Sequence, residues 1–321
     1  MKCVRFVAAV AAACAVPSFS FGAILYSDNF DTNTSANYTV NQDPDATVEW
    51  AWDYSTMGIP SAPNSQGGTT LGVKFTANNG DTTTGAQAIN ISPTGQSFTG
   101  DYVLRFDSWL NANGPFPGGG AGSTEFLTAG VGTQGDDVQK SSGSSSGAWF
   151  AADNEGQSSI DYRAYLNASL EGPSSTVYAA SDSGDINRRN ANNPYYHGTF
   201  PGGQMAPAFQ QANFPQQTGA LKAGTLGFEW REVEIRNVGG NVTWTIDGLP
   251  IATFTNPTLT GSNVFVGHWD VFASITDNPA LSFGVVDNLV VELIPEPASL
   301  SLLVLGCSAL VLGRRRSILS R

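Results

Sequence analysis

Cysteine is missing from the body of this 321-residue chain: Cys3 and Cys14 stand in residues 1–22, and Cys307 stands in residues 294–321. Disulfides, a thiol nucleophile and cysteine-ligated metal are therefore excluded between those ends. Histidine is nearly absent as well. With only His197 and His268, one chain cannot build a three-histidine zinc site. Charge is scarce at 13% of residues, and positive charge is scarcest, with 15 Lys and Arg against 27 Asp and Glu. Within residues 23–293 the balance is nine basic against 26 acidic, near −17. No basic patch remains for a phosphate backbone, so a nucleic-acid partner is excluded. Helical heptads are lacking too, outside two terminal apolar runs.

What is present is glycine (36), proline (17) and 11% aromatic residues. That is too aromatic for a disordered polar chain, and the length suffices for a large core. Period-two patterning runs throughout. Val48, Trp50, Trp52 and Tyr54 alternate with Thr47, Glu49, Ala51 and Asp53. Tyr102, Leu104, Phe106 and Leu110 share one face of residues 101–111; Val103, Arg105, Asp107, Trp109 and Asn111 share the other. Residues 242–247 alternate likewise, and Asp247-Gly248 is a hairpin turn into residues 251–254. Residues 281–293 read as a long last strand, and 24–30, 71–76, 124–131, 148–152, 160–166, 226–236 and 263–268 as others. The expectation is an all-β, two-sheet antiparallel sandwich in one domain spanning residues 23–293. Two segments do not fit strands. Residues 134–147 are Ser/Gly-rich and read as a flexible loop. Residues 167–224 hold several aromatics and Arg188-Arg189, and read either as an ordered insertion or lid or as a mobile loop.

Both ends read as targeting segments. Lys2 and Arg5, an apolar run to Val16 and small residues to Ala23 form a secretory signal peptide over residues 1–22. Ala11-Ala12-Ala13 before Cys14 lacks the Leu or branched residue that a lipoprotein site wants. At the far end, Pro295-Glu296-Pro297 precedes an apolar run over 298–313 and then Arg314-Arg315-Arg316. That run is at the short edge of the roughly 17–25 residues of a membrane helix, and the arginines would stay cytoplasmic. The three-part order over residues 295–316 resembles the PEP-CTERM sorting signal of Gram-negative bacteria. The resemblance implies an exosortase as processing partner, a membrane-anchored intermediate in the inner membrane, and delivery to the cell surface or exopolysaccharide matrix. The alternative is an ordinary tail anchor.

Trp230-Arg231-Glu232-Val233 followed by Gly239-Gly240-Asn241-Val242-Thr243-Trp244-Thr245-Ile246-Asp247-Gly248 resembles a hairpin of concanavalin A-like (laminin G-like) jelly rolls. Asp28-Asn29-Phe30-Asp31 and Val286-Asp287-Asn288-Leu289 resemble the first and last strands of such domains. The fold this implies is a jelly roll, which by itself assigns no function.

Catalysis finds thin support. Glycoside hydrolases need two carboxylates, about 5–5.5 Å apart when retaining. Glu229, Glu232 and Glu234 are the nearest cluster, but the Asp expected between them on the resemblance to jelly-roll glucanases is absent, and Arg231 and Arg236 intervene. Tyr195-Tyr196-His197 supplies the residue types of a lyase. No catalytic residue is assigned. A secreted hydrolase or lyase is the alternative to a carbohydrate-binding or structural matrix protein.

A binding face needs less. Arg105, Asp107, Trp109 and Asn111 combine an aromatic ring with hydrogen-bonding side chains, about 6.6–6.8 Å apart along a strand, near the spacing of pyranose units. Trp109 is either an exposed stacking surface or packed under the long insertion. The acidic balance favours a neutral polysaccharide. For a cofactor, calcium suits the oxygen-rich composition. Asp287, in the apolar phase of the last strand, points inward and would share the ion with Asp28 or Asp31, or else cap a bulge through backbone N–H groups.

Overall fold

The computed structural model describes residues 22–80, 85–180 and 190–295. The expected signal helix, the helix over 298–313, Glu296, Pro297 and Arg314 to Arg316 lie outside the described residues. Among the described residues no helix is long and apolar enough to cross a membrane.

In chain order the strands are β1 (Ile24–Asp28), β2 (Tyr38–Gln42), β3 (Ala46–Asp53), β4 (Leu71–Ala77), β5 (Gln87–Pro93), β6 (Tyr102–Asn111), β7 (Phe126–Thr133) and β8 (Ala148–Asp153). They continue with β9 (Tyr162–Leu166), β10 (Ser169–Leu170), β11 (Arg231–Val238), β12 (Asn241–Ile246), β13 (Leu249–Thr255), β14 (Asn263–Asp270) and β15 (Phe283–Leu293). Two short helices, α1 (Pro194–His197) and α2 (Ala208–Asn213), lie in the long insertion. One sheet runs β13-β12-β11-β6-β15-β4-β3, with β1 also on β15; the other runs β10-β9-β8-β7-β14-β5-β2. Every pair is antiparallel. The fold is a two-sheet antiparallel jelly-roll sandwich of the concanavalin A type. Its inter-sheet core gathers Leu104, Phe106, Leu127, Phe150, Val233, Trp244, Val266 and Val291. Each such side chain contributes about 1.5–3 kcal/mol on leaving water.

Turn chemistry explains the β11–β12–β13 meander. Asp247 and Gly248 both adopt positive φ, 50° and 75°, as a two-residue turn of matching twist requires. Strands β2, β5 and β10 escape the sequence pattern. In β5 the polar Asn90 and Ser92 are themselves buried, on the face opposite Ile89 and Ile91.

Two bulges change which face a residue serves. Between Glu49 and Trp52 the β3–β4 register shifts, with Ala51 at φ 52°. Val48 and Trp50 therefore pack on the inter-sheet core, whereas Trp52 and Tyr54 join a second cluster on the outer face of the eight-stranded sheet. The four are not on one face. Likewise β15 slips between Asp287 and Val290, with Asn288 at φ 54°. Phe283 and Val285 face the outer cluster while Leu289 and Val291 face the core. One extra residue inverts the alternation downstream of it.

The insertion is ordered where described. Tyr178, Tyr196 and Phe200 enter the main core, and Tyr196 stacks on Tyr162 at 4.5 Å. The loop over 134–147 is also tied down: Asn41 Nδ2 donates to the Gly135 carbonyl, the Gln139 N–H to Asn90 Oδ1, and Lys140 pairs with Asp43 at 2.6 Å.

Candidate functional site

The outer face of the eight-stranded sheet divides in two. Toward the Asn111 end of β6 it is roofed by a second apolar cluster, in which Trp109 packs with Phe228, Trp230, Ala206 and Leu221. Trp109 retains 3% of its exposure and lies edge-on to Trp230 at 5.8 Å. Asn111 is fully buried and exchanges hydrogen bonds with Gln210 of α2 at 2.8 and 3.1 Å. Toward the Tyr102 end the face is open. A hollow of about 660 Å³ lies there, lined by Asn64, Gln66, Arg105, Glu232, Asn288 and Glu292, with Asp28 and Asn29 at the β1 side.

The proposed row of Arg105, Asp107, Trp109 and Asn111 is thus one strand face, but not one open surface. The long insertion covers Trp109 and Asn111, because an outward ring on a sheet flanked by apolar chain finds a roof. Only Arg105 reaches the hollow. Its Nε meets Glu234 at 2.9 Å, and its Nη1 forms a short ion pair with Glu292.

Between the halves runs a strap, residues 59–66. Asn64 pins it, its N–H donating to Asp107 Oδ2 at 3.0 Å and its Nδ2 to Asp107 Oδ1 at 2.8 Å. Ser65 Oγ donates to Asp287 Oδ2 at 2.8 Å, and Trp230 Nε1 to the Pro60 carbonyl at 2.7 Å. The side of the strap facing the insertion carries a shallower groove of about 370 Å³ between Pro60, Met205 and Trp230.

Asp287 is buried as expected, but beneath the strap rather than in the core, because of the bulge beside it. Its oxygens take hydrogen bonds from Tyr54 Oη, Ser65 Oγ and the Asn288 N–H. Burial first, and then the neighbouring Asp107 charge, push its carboxyl up to about 6 against the lowering effect of those donors. That is a donor cage, not a cation site. Asp28 and Asp31 do not join it: Asp28 Oδ1 accepts from the Phe30 N–H, and Asp31 Oδ2 from Asn29. Calcium shared by Asp287 with Asp28 or Asp31 does not fit, and among the described residues no three His, Cys, Asp or Glu side chains converge on a metal position.

The catalytic alternatives meet ordinary partners. Glu234 is held by Arg105 and Arg236, Glu229 by Arg231 at 2.8 Å, and Glu232 accepts from Asn64 at the hollow's edge. Tyr195, Tyr196 and His197 point to three different carbonyls, those of Pro250, Ala180 and Ala191.

Sequence reasoning assigned nothing to residues 59–66 and so missed the strap. It also missed a buried polar cluster at one end of the seven-stranded sheet. His268 Nε2 lies 2.8 Å from Glu125 Oε2, both fully enclosed, with Asp270 on the same strand as His268. Burial lowers His268 to about 4 and raises Asp270 to about 8. Burial raises Glu125 well above its ordinary value, and burial with the Asp153 charge brings Glu155, which follows β8 and accepts from Thr124 Oγ1, to about 9.

No family model and no curated protein sequence matches the chain. Solved structures with a similar chain course exist. A Bacillus subtilis protein of unknown function with a galectin-like fold aligns at 10% identity and TM-score 0.40, over 85% of this chain and 97% of that one. The VIP36 exoplasmic/lumenal domain in a Ca2+/Man2-bound form aligns at 11% and 0.41, over 84% and 89%. The carbohydrate-binding module CBM66 from Bacillus subtilis aligns at 10% and 0.33, over 73% and 91%.

Proposed function

We propose that this chain is an exported surface protein, sorted through its Pro295-Glu296-Pro297 tail by an exosortase, whose sandwich binds a neutral glycan of the extracellular matrix. The observation that carries the binding half is the open hollow of about 660 Å³, within the roughly 300–1,000 Å³ of ligand pockets. Its polar groups suit a sugar. The Gln66 amide offers donors beside an acceptor, and Asn64 and Asn288, whose Nδ2 donors serve Asp107, add amide oxygens, so the lining can both give to and take from hydroxyls. The Arg105 guanidinium is fixed in place by Glu234 and Glu292, so it is preorganised and its charge is offset. With Glu232 and Asp28 also at the lining, a polyanion is repelled.

The test is affinity electrophoresis of the purified protein in gels carrying dextran, xyloglucan, galactomannan or alginate. Retardation by at least one neutral polymer, absent with alginate and lost in Gln66→Ala, is expected. Unretarded migration in every neutral gel would sink the binding reading. Reducing-sugar assay of the same gels separates a binder from a hydrolase or lyase.

Calcium keeps one place in this reading. At the end of β1 and in the loop after it, Asp28 Oδ2, Asp31 Oδ1 and Thr34 Oγ1 are enclosed oxygens without a hydrogen-bond partner. Hard oxygen donors of this kind are what calcium takes. These three residues would hold the ion; of them Asp28 pairs with β15 and lines the β1 side of the hollow.

A further inference from the structure

We infer that the hollow recognises an amino sugar: a glycan of otherwise neutral units in which the ring at the β11 side carries a protonated amine. This rests on the glycan reading of the hollow and narrows it to a ligand class. Strand register supplies the reason. Glu232 of β11 pairs with Asp107 of β6, and Asp107 with Asp287 of β15, so three carboxyl side chains stand in one transverse row. Two residues along the strands, Glu234 pairs with Arg105, and Glu292 reaches Arg105 from β15. Five carboxyl groups therefore share this patch with the single guanidinium of Arg105.

Four of the five already have their donors. Asp107 and Asp287 are served by the strap and by Asn288. Glu234 is held by Arg105 and Arg236, and Glu292 by Arg105. Glu232 is the exception. It is exposed at the lining of the hollow and forms no ion pair among the described residues. Its side chain takes one long contact, 3.4 Å from an Asn64 Nδ2 that already donates to Asp107 at 2.8 Å.

A ligand ammonium completes that carboxylate. It brings three N–H donors and no acceptor, and N–H bonds to a charged acceptor are roughly twice as strong as neutral ones. A sugar hydroxyl brings one donor, and an acetamide brings one donor without charge. A bare cation matches less well: calcium takes about six to eight oxygens, and among the described residues no three His, Cys, Asp or Glu side chains converge on one position. Arg105 supplies the other half of the site. Its Nε and Nη1 are spent on Glu234 and Glu292, which leaves Nη2 to donate to a ring hydroxyl. Arg105 and Glu232 are diagonal neighbours on adjacent strands, about 7–8 Å apart, a separation that one substituted ring bridges.

Three β-1,4-linked tetramers that differ only at carbon 2 test this: cellotetraose with a hydroxyl, N-acetylchitotetraose with an acetamide, and the deacetylated glucosamine tetramer with an amine. The purified protein is titrated calorimetrically in mildly acidic, low-salt buffer, which keeps the amines charged. The glucosamine tetramer should bind roughly tenfold or more tighter than cellotetraose. Glu232→Gln, which keeps the shape and removes the charge, should erase most of that preference. Asp136→Asn, at an exposed acid in the 134–147 loop, should leave it intact. Equal affinity for all three tetramers overturns the amine inference and leaves the hollow a site for neutral glycan. A preference that survives Glu232→Gln, or that falls equally in Asp136→Asn, belongs to the acidic chain as a whole and also overturns it, as does failure of the glucosamine tetramer to bind. Binding of the glucosamine tetramer alone, lost in Glu232→Gln and without retardation in any neutral gel, keeps the amine site and removes the neutral-glycan reading.

Discussion

Asp107 and Asp287 face each other across β6 and β15 as direct register partners, both buried, and Asn288 bridges them. Asn288 Nδ2 donates to Asp107 Oδ2 at 2.9 Å, while its own N–H donates to Asp287 Oδ1 at 2.7 Å. Two carboxylates in contact would ordinarily repel. Here neutral donors from the strap share the load, which makes Asn64 and Ser65 the stitches that hold residues 59–66 to the sheet.

Asn64→Ala removes side-chain donors from a buried carboxylate. Leaving such an acceptor short costs about 1–3 kcal/mol. Urea unfolding should therefore shift to a lower midpoint, and Asn64→Asp should be worse still, since it sets a third carboxylate against Asp107.

Trp109 is a packing residue. Truncation to alanine empties a space enclosed by Trp230 and Phe228, and should cost about 3–5 kcal/mol. A thermal melt of Trp109→Ala that matches the parent would contradict the burial described above.

Stability should fall with alkalinity. Asp270 and Glu155 hold their protons in the folded protein to about 8 and about 9, far above their unfolded values. Raised carboxyls stabilise below the unfolded value, and that contribution is lost as pH rises through the folded one. His268, lowered to about 4, works the other way: its contribution is complete above about 6.5 and fades as pH falls toward 4. Between pH 6.5 and 9 only the carboxyls act, each at up to about 1.4 kcal/mol per pH unit. Melting temperature should decline over that window, and Glu155→Gln should flatten the decline.

Calcium at millimolar concentration should raise the melting temperature if Asp28, Asp31 and Thr34 hold the ion, by mass action on the folded state. Asp31→Asn should abolish the increment. An Asp287→Asn protein should keep it, because Asp287 on β15 serves to hold the strap through Ser65.

Replacing Pro295-Glu296-Pro297 by three alanines should leave an unprocessed form held at the membrane, read by intact mass of the surface-extracted protein. Normal processing would leave a simple anchor in place of the sorting signal.

Alternating runs in residues 102–111 and 242–254, the Asp247-Gly248 turn and the lack of cysteine determined, from sequence alone, an all-β sandwich without covalent staples. They could do so because period two and positive-φ turn chemistry are local properties. Which face each residue serves was decided only by tertiary structure. The bulges at Ala51 and Asn288 carry no signature in the surrounding residues, yet one extra residue moves Tyr54 and Asp287 from the core side to the outer side. The fate of Trp109 was likewise settled at long range: its roof comes from residues about a hundred positions downstream, and apolar burial is indifferent to where along the chain the covering surface originates.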